Sequence, residues 1–119
     1  MMNAYELQAL RHIFAMTVEE CAIWIAPENT AAEWQAWENG EKAIPADIVA
    51  KLLELRKKRQ THINALISRI NNRIGNNTMR FFADLTAFKV VYRDGDYLDW
   101  KVYQSVAAEL YAHDLEHLC

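Results

Sequence analysis

The residues that start and stop two short helices constrain the fold more than any other feature of the sequence. Residues 17–20 (TVEE) form a capping box, in which the threonine hydroxyl accepts from the third helical amide and the last glutamate bonds back. Pro27 predicts the end of this helix, because proline disfavours helical geometry in the residue before it. Thr30 is the expected N-cap of a second short helix that ends at Gly40.

Helices are also predicted on both sides of this pair. Residues from about 5 to 14 carry apolar side chains at helical spacing, and Ile44-Pro45 opens a fourth helix. The helical pattern of that last segment continues to Ile74. The basic run 56–59 (RKKR) leaves open whether the segment is one long helix or two.

The strongest break in the chain is Gly75-Asn76-Asn77. We therefore expect two parts, a helical domain over residues 1–74 and a smaller C-terminal region over 75–119. The fold class is mostly α, a helical bundle followed by a small C-terminal region of helix with short β structure.

The C-terminal region has weaker local signals. Residues 79–82 (MRFF) fit a short strand, whereas residues 84–92 fit either a helix or a strand. Asp94-Gly95 indicates a turn. Asp99 is the candidate cap of a last helix with an aromatic face.

Composition sets the broad class of protein. The chain has 119 residues, of which 52% are hydrophobic, enough for a core that needs no disulfides. Cys21 is expected in that core. No apolar run approaches the roughly 20 residues that cross a bilayer, and the N-terminus does not resemble a signal peptide. These features indicate a cytoplasmic protein.

Charge is distributed unevenly along the chain. Residues 1–50 hold two basic and eight acidic side chains, a net charge of −6. Residues 51–80 hold eight basic and one acidic side chain, a net charge of +7, and residues 81–119 carry −4. The middle block is therefore the cationic surface on which a polyanion would bind.

Two short helices joined by a tight turn, between two further helices, form the arrangement of a helix-turn-helix domain, although other small helical domains share this pattern. In a helix-turn-helix domain the third helix enters the major groove of DNA. The segment ELQALRHIFAMTVEECAIWI and the following TAAEWQAWENGEKAIP are similar to the lambda-repressor-like (Xre/Cro) family. In that family the third helix typically ends in a tryptophan-glutamate pair and a glycine, as residues 37–40 do here.

A closer resemblance covers nearly the whole chain. Residues 6–9, 34–38 and Pro45, with Trp100-Lys101 and residues 104–108 far downstream, resemble the YdiL-like family, which includes anti-CRISPR-associated autorepressors of phages. The resemblance implies a homodimer joined by residues beyond about 75. The side chains expected at that interface are aromatic: Phe81, Phe82, Phe88, Tyr97, Trp100 and Tyr103.

The resemblance also implies a set of DNA contacts around the third helix: Thr17, Thr30, Ala31, Ala32, Glu33, Gln35, Ala36, Asn39 and Lys42. Gln35 has the side chain that pairs with adenine, whereas family repressors tend to offer an arginine near position 32. Residues 27–29 (PEN) stand where the family usually has a glycine in the turn. We therefore expect weak DNA binding with a strong salt dependence, or partial recognition by shape.

Several motifs allow two interpretations. Trp34 and Trp37 are expected in the core, with an exposed partner-binding patch as the alternative. The run 56–59 fits a solvated helix face or a polyanion contact. His113 and His117 frame an H-x-x-E-H pattern, typical of zinc peptidases when it lies on a helix, although last-turn histidines also complement the helix dipole.

No nucleophile and base can be paired by motif, and the aspartates around Gly95 lack calcium-loop spacing. We expect no enzyme and no cofactor. The leading functional hypothesis is a dimeric regulator of transcription that binds double-stranded DNA at an inverted repeat. The rival is an interaction module that has lost most DNA affinity and binds a protein partner through an acidic face. Its signature is the −6 block together with Ala31 and Ala32, which stand where base-reading side chains are expected.

Overall fold

The computed structural model describes residues 2–72 and 78–119. Six helices and two short strands are found in these two stretches, which confirms a mostly α fold with a small β element. The chain divides into two compact units: unit 1, residues 1–56, and unit 2, residues 57–119. The expected break at residues 75–77 lies outside the described residues, so the predicted division at that point stays a prediction.

Unit 1 begins with three short helices: α1 (Ala4–Ile13), α2 (Val18–Trp24) and α3 (Ala31–Glu38). The predicted capping boxes are present at Thr17 and Thr30. α4 (Ala46–Asn71) follows Pro45 and is one continuous helix through the basic run 56–59, so the question of one helix or two is settled in favour of one. The division between the units falls within this helix.

The core of unit 1 collects the apolar faces of its helices. Leu7 of α1, Cys21 of α2 and Trp34 of α3 are completely buried, and Ile48 and Leu52 of α4 are almost completely so. Cys21 is therefore a core residue, as expected. Burial of these side chains is the main favourable term for holding short helices that would be marginal in isolation.

Unit 2 contains strand β1 (Thr78–Met79), helices α5 (Leu85–Val91) and α6 (Tyr97–Ala112), and strand β2 (His117–Leu118). The strands pair in parallel, Thr78 with His117 and Met79 with Leu118. The predicted strand over 79–82 is therefore shorter and lies earlier in the chain. The ambiguous segment 84–92 is helical, because Asp84 caps its first turn and Phe88 is buried on one face.

Two expectations for the C-terminal region were wrong. α6 is capped by Asp96, whose side chain accepts from the amide of Asp99, so Asp99 is the reciprocal partner of the cap. The H-x-x-E-H pattern is not on a helix, because α6 ends at Ala112 and Asp114 has a φ of 57°. His113 and His117 therefore lack the one-turn spacing that a zinc-peptidase helix would give them.

The core of unit 2 is aromatic. Phe82, Phe88 and Tyr103 are buried with Val106 and Leu110 of α6. The Phe82 ring meets Phe88 at a centroid distance of 5.5 Å and Tyr103 at 5.2 Å, both edge to face. This geometry is the favourable one for aromatic pairs.

None of the helices in the described stretches is both long enough and apolar enough to span a membrane.

Candidate nucleic-acid interface

Helices α2 and α3 form the expected helix-turn-helix. After α2, the amides of Ile25 and Ala26 both donate to the carbonyl of Cys21, and Asn29 donates to Ala26. The turn is therefore closed without glycine, although Pro27 and Glu28 occupy its exposed centre. All nine residues predicted to contact DNA lie in unit 1, at the start of α2, along α3 and just after it.

Helix α3 has one buried and one exposed side. Trp34 is completely buried and Trp37 is 3% exposed, with ring centroids 5.5 Å apart, so the expectation that both indoles belong to the core is confirmed. Ala32 and Gln35 are exposed on the other side, while Ala31 and Ala36 are half-buried. The first turns of α3 are thus open to solvent, which is the arrangement that groove reading needs.

Glu33 is engaged with the start of its own helix. Its Oε1 accepts from the Thr30 amide at 3.1 Å, and its Oε2 accepts from the Asn29 side-chain amide at 3.2 Å. The Thr30 hydroxyl in turn accepts from the Glu33 amide. The Thr30 backbone bond, followed by the Asn29 bond, lowers the pKa of Glu33. The carboxylate therefore completes a cap instead of reaching outward from the helix.

Glu38 is turned into the protein. It is 4% exposed, and Arg11 forms a two-pronged pair with it, Nε to Oε2 at 2.7 Å and Nη2 to Oε1 at 3.0 Å. The Trp34 indole donates to the same Oε2 at 2.6 Å. The carboxylate bond raises the pKa of Arg11. We call Arg11, Trp34 and Glu38 the α1–α3 clamp.

The sequence analysis did not predict the contacts of Glu38 with Arg11 and Trp34. The available signal was that Arg11 and Lys42 are the two basic residues among the first 50, and that Arg11 lies one turn beyond the buried Leu7. A cation in that position requires a buried anion, because a charge removed from water must be paired. Trp34 and Glu38 are four residues apart, the spacing at which two side chains on one helix face meet.

Several cations of each unit already have partners within that unit. Arg11 is held by Glu38, and Lys51 donates to the Ile25 carbonyl at 3.0 Å. In unit 2, Lys58 pairs with Asp99, and Arg59 pairs with Glu109 at 2.5 Å while also bonding the Ser105 hydroxyl. Within the run 56–59, Lys58 and Arg59 therefore join α4 to α6.

The remaining cations define what a polyanion would meet. In unit 1, Lys42 and Arg56 are exposed and make no ion pair within residues 2–56. The same holds in unit 2 for Lys57, Arg69 and Arg80 within residues 57–72 and 78–119. Thr17, Thr30 and Asn39 are exposed polar groups at helix ends, where the first two serve as N-caps and Asn39 as the C-cap of α3. The interface offers few positive charges, so neutral donors carry a larger share of any phosphate contacts.

Gln35 has a defined orientation. Its side-chain Nε2 donates to the Asn39 Oδ1 at 3.1 Å, one turn further along the exposed side of α3. This bond restrains the glutamine while leaving its Oε1 and one amide hydrogen for a base edge. A glutamine amide makes paired hydrogen bonds with the N6 and N7 atoms of adenine.

The six predicted dimer residues have different environments. Phe82, Phe88, Tyr97 and Tyr103 are buried within the protomer, while Phe81 and Trp100 are half-buried. The Trp100 indole donates to the Phe82 carbonyl at 2.8 Å. Large apolar side chains that remain exposed on unit 2 are Val90, Val91, Tyr92 and Tyr111.

The fold and the exposed first turns of α3 place this protein in the helix-turn-helix class. The chain belongs to the Aca2/YdiL-like family, whose model matches residues 2–119. This confirms the resemblance to the YdiL-like family.

Two relatives cover almost the whole chain. The chain is 67% identical over 118 residues to "Uncharacterized protein YdiL" of Escherichia coli (strain K12), a match that spans 99% of this chain and 100% of the relative. It is 32% identical over 111 residues to the "Aca2 repressor" of Pectobacterium phage ZF40, spanning 92% of this chain and 93% of the relative.

Proposed function

We propose that the chain is a transcriptional repressor that binds double-stranded DNA at an inverted repeat as a homodimer. The observation that carries the proposal is the exposed first half of α3, with Ala32 and Gln35 facing solvent. Two carboxylates of α3, which would repel phosphates if they pointed outward, are engaged within the protein: Glu33 in a cap and Glu38 in the α1–α3 clamp. The relative named as the Aca2 repressor supports the regulatory role. The cytoplasm, where the DNA is, follows as the place of action.

The direct experiment is selection of bound DNA from a random pool with the full-length chain, followed by gel shifts at several salt concentrations. We expect an inverted repeat with half-sites about one helical turn, roughly 34–36 Å, apart. We also expect the binding constant to fall only gradually with salt, because the interface has few free cations. Each phosphate that a cation neutralises adds about −0.9 to the slope of log K against the logarithm of the salt concentration. This expectation is the opposite of the strong salt dependence expected from the sequence, because Arg11 and Lys51 already have partners within the protein. Recovery of no enriched sequence at low salt would contradict the proposal.

Replacing Gln35 with alanine is expected to weaken binding to the selected site by roughly tenfold, because one paired base contact is worth about 1–3 kcal/mol. Binding to unrelated DNA should change little. Gln60→Ala is the matched control, since Gln60 is an exposed glutamine on α4 that makes a similar amide bond to Asn64. Gel shifts with both DNA sequences measure the effect. Equal weakening on both DNAs would argue against base reading by Gln35.

The dimer is proposed to form through unit 2. Phe81 and Trp100 are half-buried and available at its surface, whereas Phe82, Phe88, Tyr97 and Tyr103 support that surface from the core. Val90 of α5 is 72% exposed and is followed by the exposed Val91 and Tyr92, a contiguous apolar patch of the kind that another protein surface covers.

Light scattering of the wild type is expected to give the mass of two chains. Val90→Arg should shift the protein towards the monomer, because a charge would be buried at the interface. Lys89→Arg, at the neighbouring exposed position, is the control and should stay dimeric. A monomeric wild type would refute this part of the proposal.

The second candidate is a protein-interaction module. It is favoured by the net charge of −6 over residues 1–50 and by exposed carboxylates at Glu28 and Glu41. A surface of this kind suits a basic protein partner better than phosphates.

Glu33→Gln separates the two candidates, because glutamine can keep the capping box while removing the charge. Under the DNA proposal, binding should strengthen by about twofold, since one charge at roughly 8 Å from a phosphate in water contributes about 0.5 kcal/mol. Under the rival, capture of a basic protein partner should weaken and DNA binding should stay undetectable. Unchanged thermal unfolding would confirm that the cap is intact.

A further inference from the structure

A cavity in unit 2 has no role in the proposed DNA interface. Its volume is about 380 Å³, and it lies between α4, strand β1, α6 and the segment before β2. Its lining includes the polar and aromatic side chains of His62, Arg69, Arg80, Tyr92, Tyr103 and Glu116. Ligand pockets in proteins start at about 300 Å³, so the space suits a small molecule.

His62 lines this cavity and carries an unsatisfied polar atom. Its Nε2 is buried and has no hydrogen-bond partner within the described parts of the chain. Burial, followed by the nearby charges of Arg69 and Lys58, lowers the pKa of the imidazole, so the ring is neutral at neutral pH. A buried polar atom without a partner costs free energy that a ligand atom would recover.

Two arginines supply the positive charge. Arg69 and Arg80 both line the cavity, are exposed, and make no ion pair within residues 2–72 and 78–119. Arg80 is also positioned over the Phe82 ring, with its Cζ 5.3 Å from the ring centroid. A guanidinium offers the fork of donors that matches a carboxylate.

Glu116 adds a carboxylate to the same cavity and is 5% exposed. It is an acceptor of opposite charge to the arginines. The lining therefore favours a ligand with an anionic group for the arginines and a separate hydrogen-bond donor for Glu116 or His62.

Aromatic surfaces complete the site. The Tyr103 ring lies 5.9 Å from His62 and 5.7 Å from Tyr92, centroid to centroid. The Tyr103 hydroxyl donates to the Arg80 carbonyl at 2.7 Å, and burial raises its pKa to about 12, so it stays a phenol. These rings offer flat apolar faces, which suit a flat ligand.

We propose that this cavity binds a small, flat organic anion that also carries a hydrogen-bond donor. None of the residues predicted to contact DNA lines the cavity. The site is therefore separate from the DNA-binding proposal and does not depend on it.

The test is an amide NMR titration of the full-length chain with 4-aminobenzoate, which combines a ring, a carboxylate and an amine donor. We expect saturable shifts at Met79, Arg80 and Tyr103, with a dissociation constant in the micromolar to millimolar range. Benzoate, which lacks the donor, should bind about tenfold more weakly. Aniline, which lacks the anion, should cause no saturable shift.

Arg80→Gln should weaken 4-aminobenzoate binding at least tenfold, and Arg56→Gln, an exposed arginine outside the cavity, should leave it unchanged. The amide spectrum of each variant reports whether it is folded. Equal binding by folded Arg80→Gln, or the absence of saturable shifts in the wild type, would overturn the proposal. No DNA is present in this experiment, so its failure is distinguishable from failure of the proposed function.

Discussion

Glu38→Ala is expected to lower the free energy of unfolding of unit 1 by about 3 kcal/mol. The substitution leaves the Arg11 guanidinium without its anion and the Trp34 indole without an acceptor, in a region where the Glu38 side chain is 3% and the Arg11 side chain 20% exposed. Removing one partner of a buried pair typically costs about 3–5 kcal/mol, and the partial exposure of Arg11 places the effect near the lower limit. Chemical denaturation monitored by tryptophan fluorescence measures it.

Glu41→Ala is the matched control, because Glu41 is an exposed glutamate three residues further along. It should change the free energy of unfolding by less than about 0.5 kcal/mol. The double substitution Arg11→Ala, Glu38→Ala should lower the free energy of unfolding by less than the sum of the two single substitutions. Each single substitution leaves one charge without its partner, whereas the double substitution removes both charges. Strict additivity would show that the two side chains are not coupled.

The clamp also bears on function. It joins α1 to the last turn of α3, and Gln8 of α1 donates to the Glu38 carbonyl at 2.9 Å. Under the proposed DNA-binding function, loss of the clamp should therefore reduce DNA affinity by loosening α3, even though Glu38 is too buried to contact a duplex. The expected reduction appears for both selected and unrelated DNA, in contrast to the sequence-dependent effect of Gln35→Ala.

Phe82→Ala is expected to destabilise unit 2 by about 3–5 kcal/mol, the usual cost of deleting a buried phenylalanine ring. Phe82 is 2% exposed and packs edge to face against Phe88, Tyr92 and Tyr103. Circular dichroism should show thermal unfolding at a clearly lower temperature. Thr86→Ala, at an exposed position of α5, should leave the transition almost unchanged.

The same substitution distinguishes a core residue from an interface residue. If Phe82 directly joined two protomers, Phe82→Ala would yield folded monomers of normal thermal stability. A core role predicts instead that the fold of unit 2 is lost first and that any dimer is lost with it. Light scattering and circular dichroism on the same sample separate these outcomes.

Helix ends show which features were predictable. α1, α3 and α6 end with the same pair of backbone bonds, closed around a residue of positive φ: Ala15, Gly40 and Asp114 respectively. Gly40 made the end of α3 predictable from the sequence, because glycine adopts a positive φ without steric cost. Nothing comparable marked Asp114, and both interpretations of the H-x-x-E-H pattern placed its histidines on a helix. Similarly, Asp96 and Asp99 are both residue types that cap helices, and in the structure Asp96 is the cap while Asp99 bonds back to its amide.

The sequence by itself determined the local structure of this protein: the caps at Thr17 and Thr30, the stop at Gly40 and the periodic apolar faces of the first four helices. These signals act over three or four residues, so they can be read along the chain. The tertiary structure decided which charges are available and which aromatic rings are covered. Arg11 and Glu38 are 27 positions apart and Phe82 and Tyr103 are 21 apart, and such partners are chosen by the packing of whole helices, which no local spacing encodes.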